Sequence, residues 1–404
     1  AATAGHQVIG ADTNPSVVMG LNSGIPHIVG EPGLEDLFSA AVKKGNLRAR
    51  ETVTEADVFL VAVPTPITET KTADLSYVIK ASRSVVPFMR RGALFIVEST
   101  IPPGCTDDVI VPILEESGLR AGVDFYVAHC PERVIPGNVV HELVYNDRVI
   151  GGLTPESAER AGEFYKTFVK GDICLTGLKE AELTKLAENS YRDVNIAFAN
   201  ELALISERMG INPREVVRLA NRHPRVNVLN PGPGVGGHCI SVDPWFLVEM
   251  FPEEARLLRA ARCVNDHRPY VIADQVMTAL EQYNIEKPVV ACLGLTYKAN
   301  VSDMRESPSI HVLASLANNG CEVRVCDPYA GGDGSKNCVS VEEAVTGADA
   351  LVLLVDHDEY KSLNVEALRK LMRHPVVLDT RGVWEDQGIG AGNKAAGQGR
   401  KLLL

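Results

Sequence analysis

The sequence predicts an α/β protein: two doubly wound parallel-sheet domains joined by a long central helix. Three observations carry that prediction. Short, continuous apolar runs end abruptly at Pro, Asp, Glu or Thr and alternate with helical stretches, which is the pattern of strands buried on both faces. The N-terminal and C-terminal thirds repeat one scheme, with Gly5 leading to Asp12 and Gly320 leading to Asp327 at the same spacing. Between the thirds, Lys179 to about Met209 contains neither proline nor glycine. Roughly 30 helical residues span about 45 Å, enough to connect two domains and offer a dimer surface.

Taken in order, Ala1–His6 reads as the end of a helix stopped at Gly5, and Gln7–Ala11 as a strand ending at Asp12. Val58–Val63 stops at Pro64-Thr65-Pro66, Leu94–Val97 at Glu98-Ser99-Thr100, and Phe125–His129 at Cys130-Pro131-Glu132. Leu75–Met89 and Thr106–Glu116 are the helices between them. In the second copy Val289–Leu293, Glu322–Val325, Leu351–Val355 and Val376–Leu378 are strands, and Ser307–Asn318 is a helix. The second copy has a strand and turn before its first helix for which the first copy has no room. A first strand and any Gly-x-Gly-x-x-Gly loop are therefore expected before residue 1. Such domains are Rossmann-like, collecting ligands at strand C-terminal ends. The division expected is 1–175, 176–285 and 286–404, with Gly388–Leu404 a Gly-, Ala- and Lys-rich tail.

Composition narrows the function. A formal charge of −12 over 404 residues argues against a nucleic-acid surface. Nine scattered cysteines without CxxC spacing suit free thiols in a reducing cytoplasm better than disulfides or a metal site. No apolar run reaches membrane-spanning length, and no signal peptide is visible.

The densest chemistry lies in Pro231-Gly232-Pro233-Gly234-Val235-Gly236-Gly237-His238-Cys239, with Asp243 four residues after the thiol. Glycines at this density suit main chain that must approach a ligand closely, and Cys239 can be a nucleophile presented to it. The alternative is a glycine-rich turn with an incidental cysteine. Asp12, ending the second strand of a βαβ unit, suits the adenosine ribose of NAD, and no Arg follows to take a 2′-phosphate. It can equally cap Asp12-Thr13-Asn14-Pro15. Lys185 and Asn189, one turn apart on the long helix, can hold an oxyanion or form a solvated polar face. Glu132 is a general base or a turn cap. Lys298, Asp303 and Arg305 follow a strand; the cations suit a diphosphate, or Asp303 and Arg305 pair with each other.

Six segments together resemble the UDP-glucose/GDP-mannose dehydrogenase family over nearly the whole chain. They are Val63-Pro64-Thr65-Pro66, Glu98 through Gly104, Pro131 through Gly137, Glu180 through Asn189, Gly236-Gly237-His238-Cys239, and Tyr297 through Pro308. The resemblance implies NAD-dependent, two-step oxidation of a nucleotide-sugar C6 alcohol to a carboxylate, and a homo-oligomer, dimer or tetramer, built on the central helix. Gly-Gly-His-Cys with Asp243-Pro244-Trp245 resembles the branch acting on UDP-N-acetylhexosamines, the mannosamine epimer ahead of the glucosamine one. Pro136 stands where UDP-glucose enzymes carry a second acid. The resemblance makes Cys239 the nucleophile, Glu132 the base for hydrolysis, Lys185 and Asn189 the oxyanion pair and Asp243 a proton relay. It assigns Pro64, Thr65, Thr100 and Arg305 to NAD with Asp12. It assigns Arg133, His238, Tyr297, Lys298 and Arg381 to the substrate, and Arg225 to a partner subunit's substrate.

Overall fold

A computed structural model describes residues 1–28, 31–135, 137–330 and 339–388. Pro136, Cys338 and the tail from residue 389 lie outside the described residues. The chain divides into two compact units, Ala1–Glu188 with Trp245–Met250, and Asn189–Pro244 with Phe251–Leu404.

The first unit holds strands β1 (Val8–Ala11), β2 (Leu47–Arg50), β3 (Val58–Val61), β4 (Leu94–Val97), β5 (Tyr126–His129), β6 (Arg148–Gly152) and β7 (Ile173–Gly177). β1 and β2 pair in parallel, and β3-β4-β5-β6-β7 form a five-stranded sheet. All four residues of β4 are buried, as a central parallel strand requires. One strand departs from the parallel expectation, because β6 pairs antiparallel with β5. The connection explains it. Between His129 and Arg148 the single helix among the described residues, Val139–Tyr145, buries none of its residues. A parallel return needs a crossover helix with an apolar face to cover the sheet. From β6 to β7 such a helix exists: Pro155–Lys166 starts at Thr154, whose side chain accepts from Ser157 N–H, and buries Ala158, Ala161, Gly162 and Tyr165. β6 and β7 are accordingly parallel.

The second unit holds β8 (Val289–Leu293), β9 (Glu322–Cys326), β10 (Ala350–Leu353) and β11 (Val376–Asp379), all parallel, in the order β11-β10-β8-β9. Strand order reverses between β8 and β10, the position where doubly wound sheets open a ligand crevice. The sheet core is made by Val290, Cys292, Val352 and Leu378 packed with Val312 and Leu316 of the helix Pro308–Asn318.

The central helix runs Leu178–Met209, 32 residues, starting one residue before the expected Lys179. A second long helix, Arg256–Glu281, carries Pro269 in its interior. Proline lacks the N–H that would bond the carbonyl four residues earlier, here that of Asn265. The glycine-rich loop fills that notch: a Cβ on Gly234 would lie 3.2 Å from Asn265 O and 3.4 Å from Pro269 Cδ.

Candidate active site

The loop bearing Cys239 is anchored within the second unit at Gly232. Gly232 N–H donates to Asn200 Oδ1 (3.0 Å) and Gly232 C=O accepts from Arg268 Nε (3.1 Å). A Cβ on Gly232 would meet Arg381 Nη1 at 2.7 Å, and one on Gly237, at φ +83°, would meet the Tyr297 ring at 2.9 Å. The glycines thus serve close approach by the protein's own Arg381, Tyr297 and Pro269. Cys239 is half-buried and His238 exposed. The Cys239 carbonyl accepts from Val242 N–H (3.0 Å) and Asp243 N–H (2.8 Å), which turns the chain into the helix Asp243–Met250. Asp243, buried, accepts at Oδ2 from Asn189 Nδ2 at 2.5 Å. Three predicted residues are therefore joined: the thiol's loop, the carboxylate and the amide of the central helix. Tyr297 belongs with them. Burial, Asp303 and the Cys239 charge all push its phenol above the usual range.

A buried polar chain supports this loop, and sequence reasoning missed it. Arg262 Nη1 donates to Asp193 (2.6 Å), Asn265 Nδ2 donates to Asp193 (2.8 Å), and Asn200 Nδ2 donates to Asn265 Oδ1 (2.9 Å), ending at Gly232. Burial raises the Asp193 carboxyl while Arg262 pulls it down, and the net direction is up. The available signal was spacing: Asp193 and Asn200 are seven apart on one helix, Arg262 and Asn265 three apart on another.

Of the nucleotide-side candidates, Arg381 donates from Nε and Nη2 to Asp356 Oδ1 at 2.9 and 2.8 Å. Lys298 is half-buried beside Thr296, whose hydroxyl donates to Lys298 C=O (3.0 Å). The Arg305 guanidinium is forked on Asp303 at 2.6 to 3.1 Å, the internal pair left open by the sequence. Arg225 is exposed.

In the first unit, Lys185 is 9% exposed, one helical turn before Asn189. The turns after β3 and β4 are tied together: Thr65 Oγ1 donates to Thr100 C=O (2.6 Å), and Ser99 Oγ accepts from Val63 N–H (2.8 Å). Pro64 is exposed between them. Asp12 is half-buried and its Oδ1 accepts from Asn14 N–H (2.8 Å). Glu132 Oε1 accepts from Arg133 N–H (2.6 Å) and Val134 N–H (3.1 Å), while Oε2 faces Arg148 Nη1 at 3.3 Å. Arg133 is forked on Glu188 of the central helix at 2.6 and 3.1 Å. Glu182, buried, caps the turn after β4 by accepting at Oε1 from Thr106 N–H (2.9 Å) and at Oε2 from Gly104 N–H (2.5 Å). Among the described residues no cluster of His, Cys, Asp and Glu has metal-site geometry, and no helix is long and apolar enough to cross a membrane.

Three family domains match in sequence. The NAD-binding domain of the UDP-glucose/GDP-mannose dehydrogenase family matches residues 1–169, its central domain 179–267, and its UDP-binding domain 291–386. The chain belongs to that family. It is an NAD-dependent nucleotide-sugar dehydrogenase. Among relatives, the NDP-N-acetyl-D-galactosaminuronic acid dehydrogenase of Ralstonia nicotianae is 46% identical over 96% of this chain and 92% of its own. The UDP-N-acetyl-D-mannosamine dehydrogenase of Methanocaldococcus jannaschii is 46% identical over 95% and 90%. The solved UDP-D-ManNAc dehydrogenase of Pyrococcus horikoshii superposes with a TM-score of 0.90 at 43% identity, covering 95% of this chain and 91% of that one.

Proposed function

We propose that this family member oxidises C6 of UDP-N-acetyl-D-mannosamine to the uronate in two steps, through a covalent adduct on Cys239. The supporting observation is the join between the Cys239 loop, Asp243 and Asn189, a thiol loop tied to a buried carboxylate and amide. Asp243, directly or through water, accepts the C6 hydroxyl proton. The Cys239 thiolate adds to the resulting aldehyde, and oxidation of that thiohemiacetal gives a thioester. Water then adds to the thioester carbon, losing a proton to Glu132, and the C–S bond breaks so that Sγ leaves with its electron pair. Lys185 and Asn189 stabilise the negative oxygen as it develops. NAD, when bound, supplies the hydride acceptor in both oxidations.

A half-exposed carboxylate at the end of β1 and the tied turns at Thr65 and Thr100 fit a dinucleotide. We assign them to NAD with Pro64 and Arg305. Arg133, His238, Tyr297, Lys298 and Arg381 serve the UDP-sugar, and Arg225 a partner's substrate. The three-part division 1–175, 176–285 and 286–404 belongs to the same reading. So does a homodimer built on the central helix, where Tyr191, Phe198 and Ile205 recur at heptad spacing and are 64%, 49% and 53% exposed. A sedimentation mass of one subunit would overturn that part.

The Ralstonia relative supports a second reading, an N-acetylgalactosamine-configured substrate. NADH release on UDP-ManNAc, UDP-GlcNAc, UDP-GalNAc and UDP-glucose, measured side by side, decides between them. UDP-ManNAc is expected to lead and to give two NADH per sugar. Cys239→Ser is expected to lose uronate formation by about 1,000-fold or more. A variant that keeps most of it, with one NADH per sugar, overturns the covalent route.

A further inference from the structure

Behind Glu132 stands a second carboxyl that the proposed chemistry does not use. Glu98 follows β4 beside the end of β5, and its backbone C=O accepts from Glu132 N–H at 3.4 Å. Its side chain accepts at Oε1 from the Tyr165 hydroxyl, on the helix Pro155–Lys166, at 2.5 Å. Arg148, only 2% exposed, pairs with Glu132 and lies beside the ring of Tyr165, whose hydroxyl holds Glu98. Its Nη1 faces Glu132 Oε2, its guanidinium is 5.6 Å from the Tyr165 ring centre, and its Nε is buried with no partner among the described residues. A buried guanidinium with donor capacity to spare is felt by every carboxylate around it, because little water screens the field.

We propose that Glu98 is a positioning residue for Glu132, acting through the Arg148 charge that both carboxyls feel and so setting how strongly Glu132 draws a proton from water. The proposal rests on the reading of Glu132 as the base for hydrolysis. When Glu98 is ionised, its charge opposes that of Glu132 and offsets Arg148, so Glu132 is a stronger base. When Glu98 holds a proton, Arg148 acts on Glu132 alone and weakens it. Geometry sets the coupling and burial sets where it operates. Burial first, then the Glu132 charge, push the Glu98 carboxyl up to about 7, against the Tyr165 hydrogen bond and Arg148. Cys130, at the end of β5, also faces this cluster, but burial first and Glu98 next push its thiol up to about 12, so it stays neutral.

The test follows uronate formation by the full chain in single turnovers across about pH 5.5 to 9, where such a limb is read. In the wild type the hydrolytic step is expected to rise through a limb near pH 7. Glu98→Gln, a fixed neutral mimic, is expected to lose that limb and stay at the low-pH rate, about 3- to 10-fold below wild type at high pH, with the KM for NAD within about twofold. Tyr165→Phe removes a bond that favours ionised Glu98, so its limb is expected to move to higher pH, and it decides the matter if Glu98→Gln does not fold. A wild-type limb retained in Glu98→Gln, or unmoved in Tyr165→Phe, overturns the proposal. Glu132→Gln separates the two ideas: hydrolysis surviving in it removes the base reading itself. Hydrolysis lost there, with the limb intact in Glu98→Gln, removes only the role of Glu98.

Discussion

Asp12 and Asp327 occupy corresponding strand ends, each seven residues after a glycine that stops a helix, and the residues around them differ. Asp327 is buried and saturated. Its Oδ2 accepts from Leu295 N–H (2.5 Å) and Thr296 N–H (2.9 Å) and faces His357 Nε2 (3.2 Å), while Oδ1 accepts from Tyr329 N–H (2.7 Å) and Ala330 N–H (3.1 Å). Asp12 is half-buried and makes one short local bond, to Asn14 N–H. A carboxylate with every lone pair engaged inside the protein has nothing left for a ribose. Asp327 is thus a keystone of loop structure in its sheet, while the proposed reading makes Asp12 a ligand group in the other. Two of the partners of Asp327, the N–H groups of Leu295 and Thr296, belong to the turn after β8, so its burial is set by the strand that precedes it in its own sheet.

The larger effect is expected from breaking Asp327. Asp327→Asn puts an amide nitrogen against main-chain donors and removes the charge they share, a loss of about 3 kcal/mol. Calorimetry should show a lower Tm, and amide exchange at Leu295 and Thr296 should quicken, with the KM for NAD unchanged. Its pH signature has a definite sign. Burial alone would raise this carboxyl, but His357 and the N–H groups of Leu295, Thr296 and Tyr329 overcome that and hold it at about 2. A depressed folded-state value gives stability that is full above the unfolded value of about 3.9 and is lost as pH falls toward the folded one. Wild-type melts should therefore weaken between about pH 4 and 2, and the variant should lose less across that window. Equal slopes would mean that Asp327 is not the anchor its bonds suggest.

The same contrast explains what was legible in the sequence. Strands such as Leu94–Val97 and Val289–Leu293 showed themselves because parallel strands buried on both faces must be apolar throughout. β7 escaped because its residues are only half-buried or exposed, and β6 because it returns from the same sheet edge without a crossover helix. The central helix was visible from the lack of Gly and Pro alone. In the candidate site, Cys239, Asp243 and Asn189 were named and the fold joins them. The glycines around Cys239 were read as room for a ligand, whereas Arg381, Tyr297 and Pro269 take up that room. A glycine announces that something passes close, but not what. Asp193, Asn200, Arg262 and Asn265 read as ordinary helix polarity, because a buried chain of hydrogen bonds needs two helices in register and sequence shows one at a time.

Asp12 tests the other half of the comparison, with a smaller effect on a different readout. Asp12→Asn keeps an oxygen able to accept from Asn14 N–H, so the turn survives and Tm should move by no more than about 1 °C. What it loses is the charge that strengthens hydrogen bonds from ribose hydroxyls. One charge-assisted bond weakened to a neutral one is worth about 1.4 kcal/mol, which is about a tenfold rise in the KM for NAD. The KM for the UDP-sugar should stay within about twofold, since the substrate is assigned to other residues. Asp12→Ala distinguishes the cap from the ligand. If the carboxylate only closes its turn, Ala lowers Tm by the few degrees that a lost cap costs, and neither variant changes NAD binding. In that outcome Asp12 would be a weaker version of Asp327, and the assignment of the β1 strand end to the cofactor would fall.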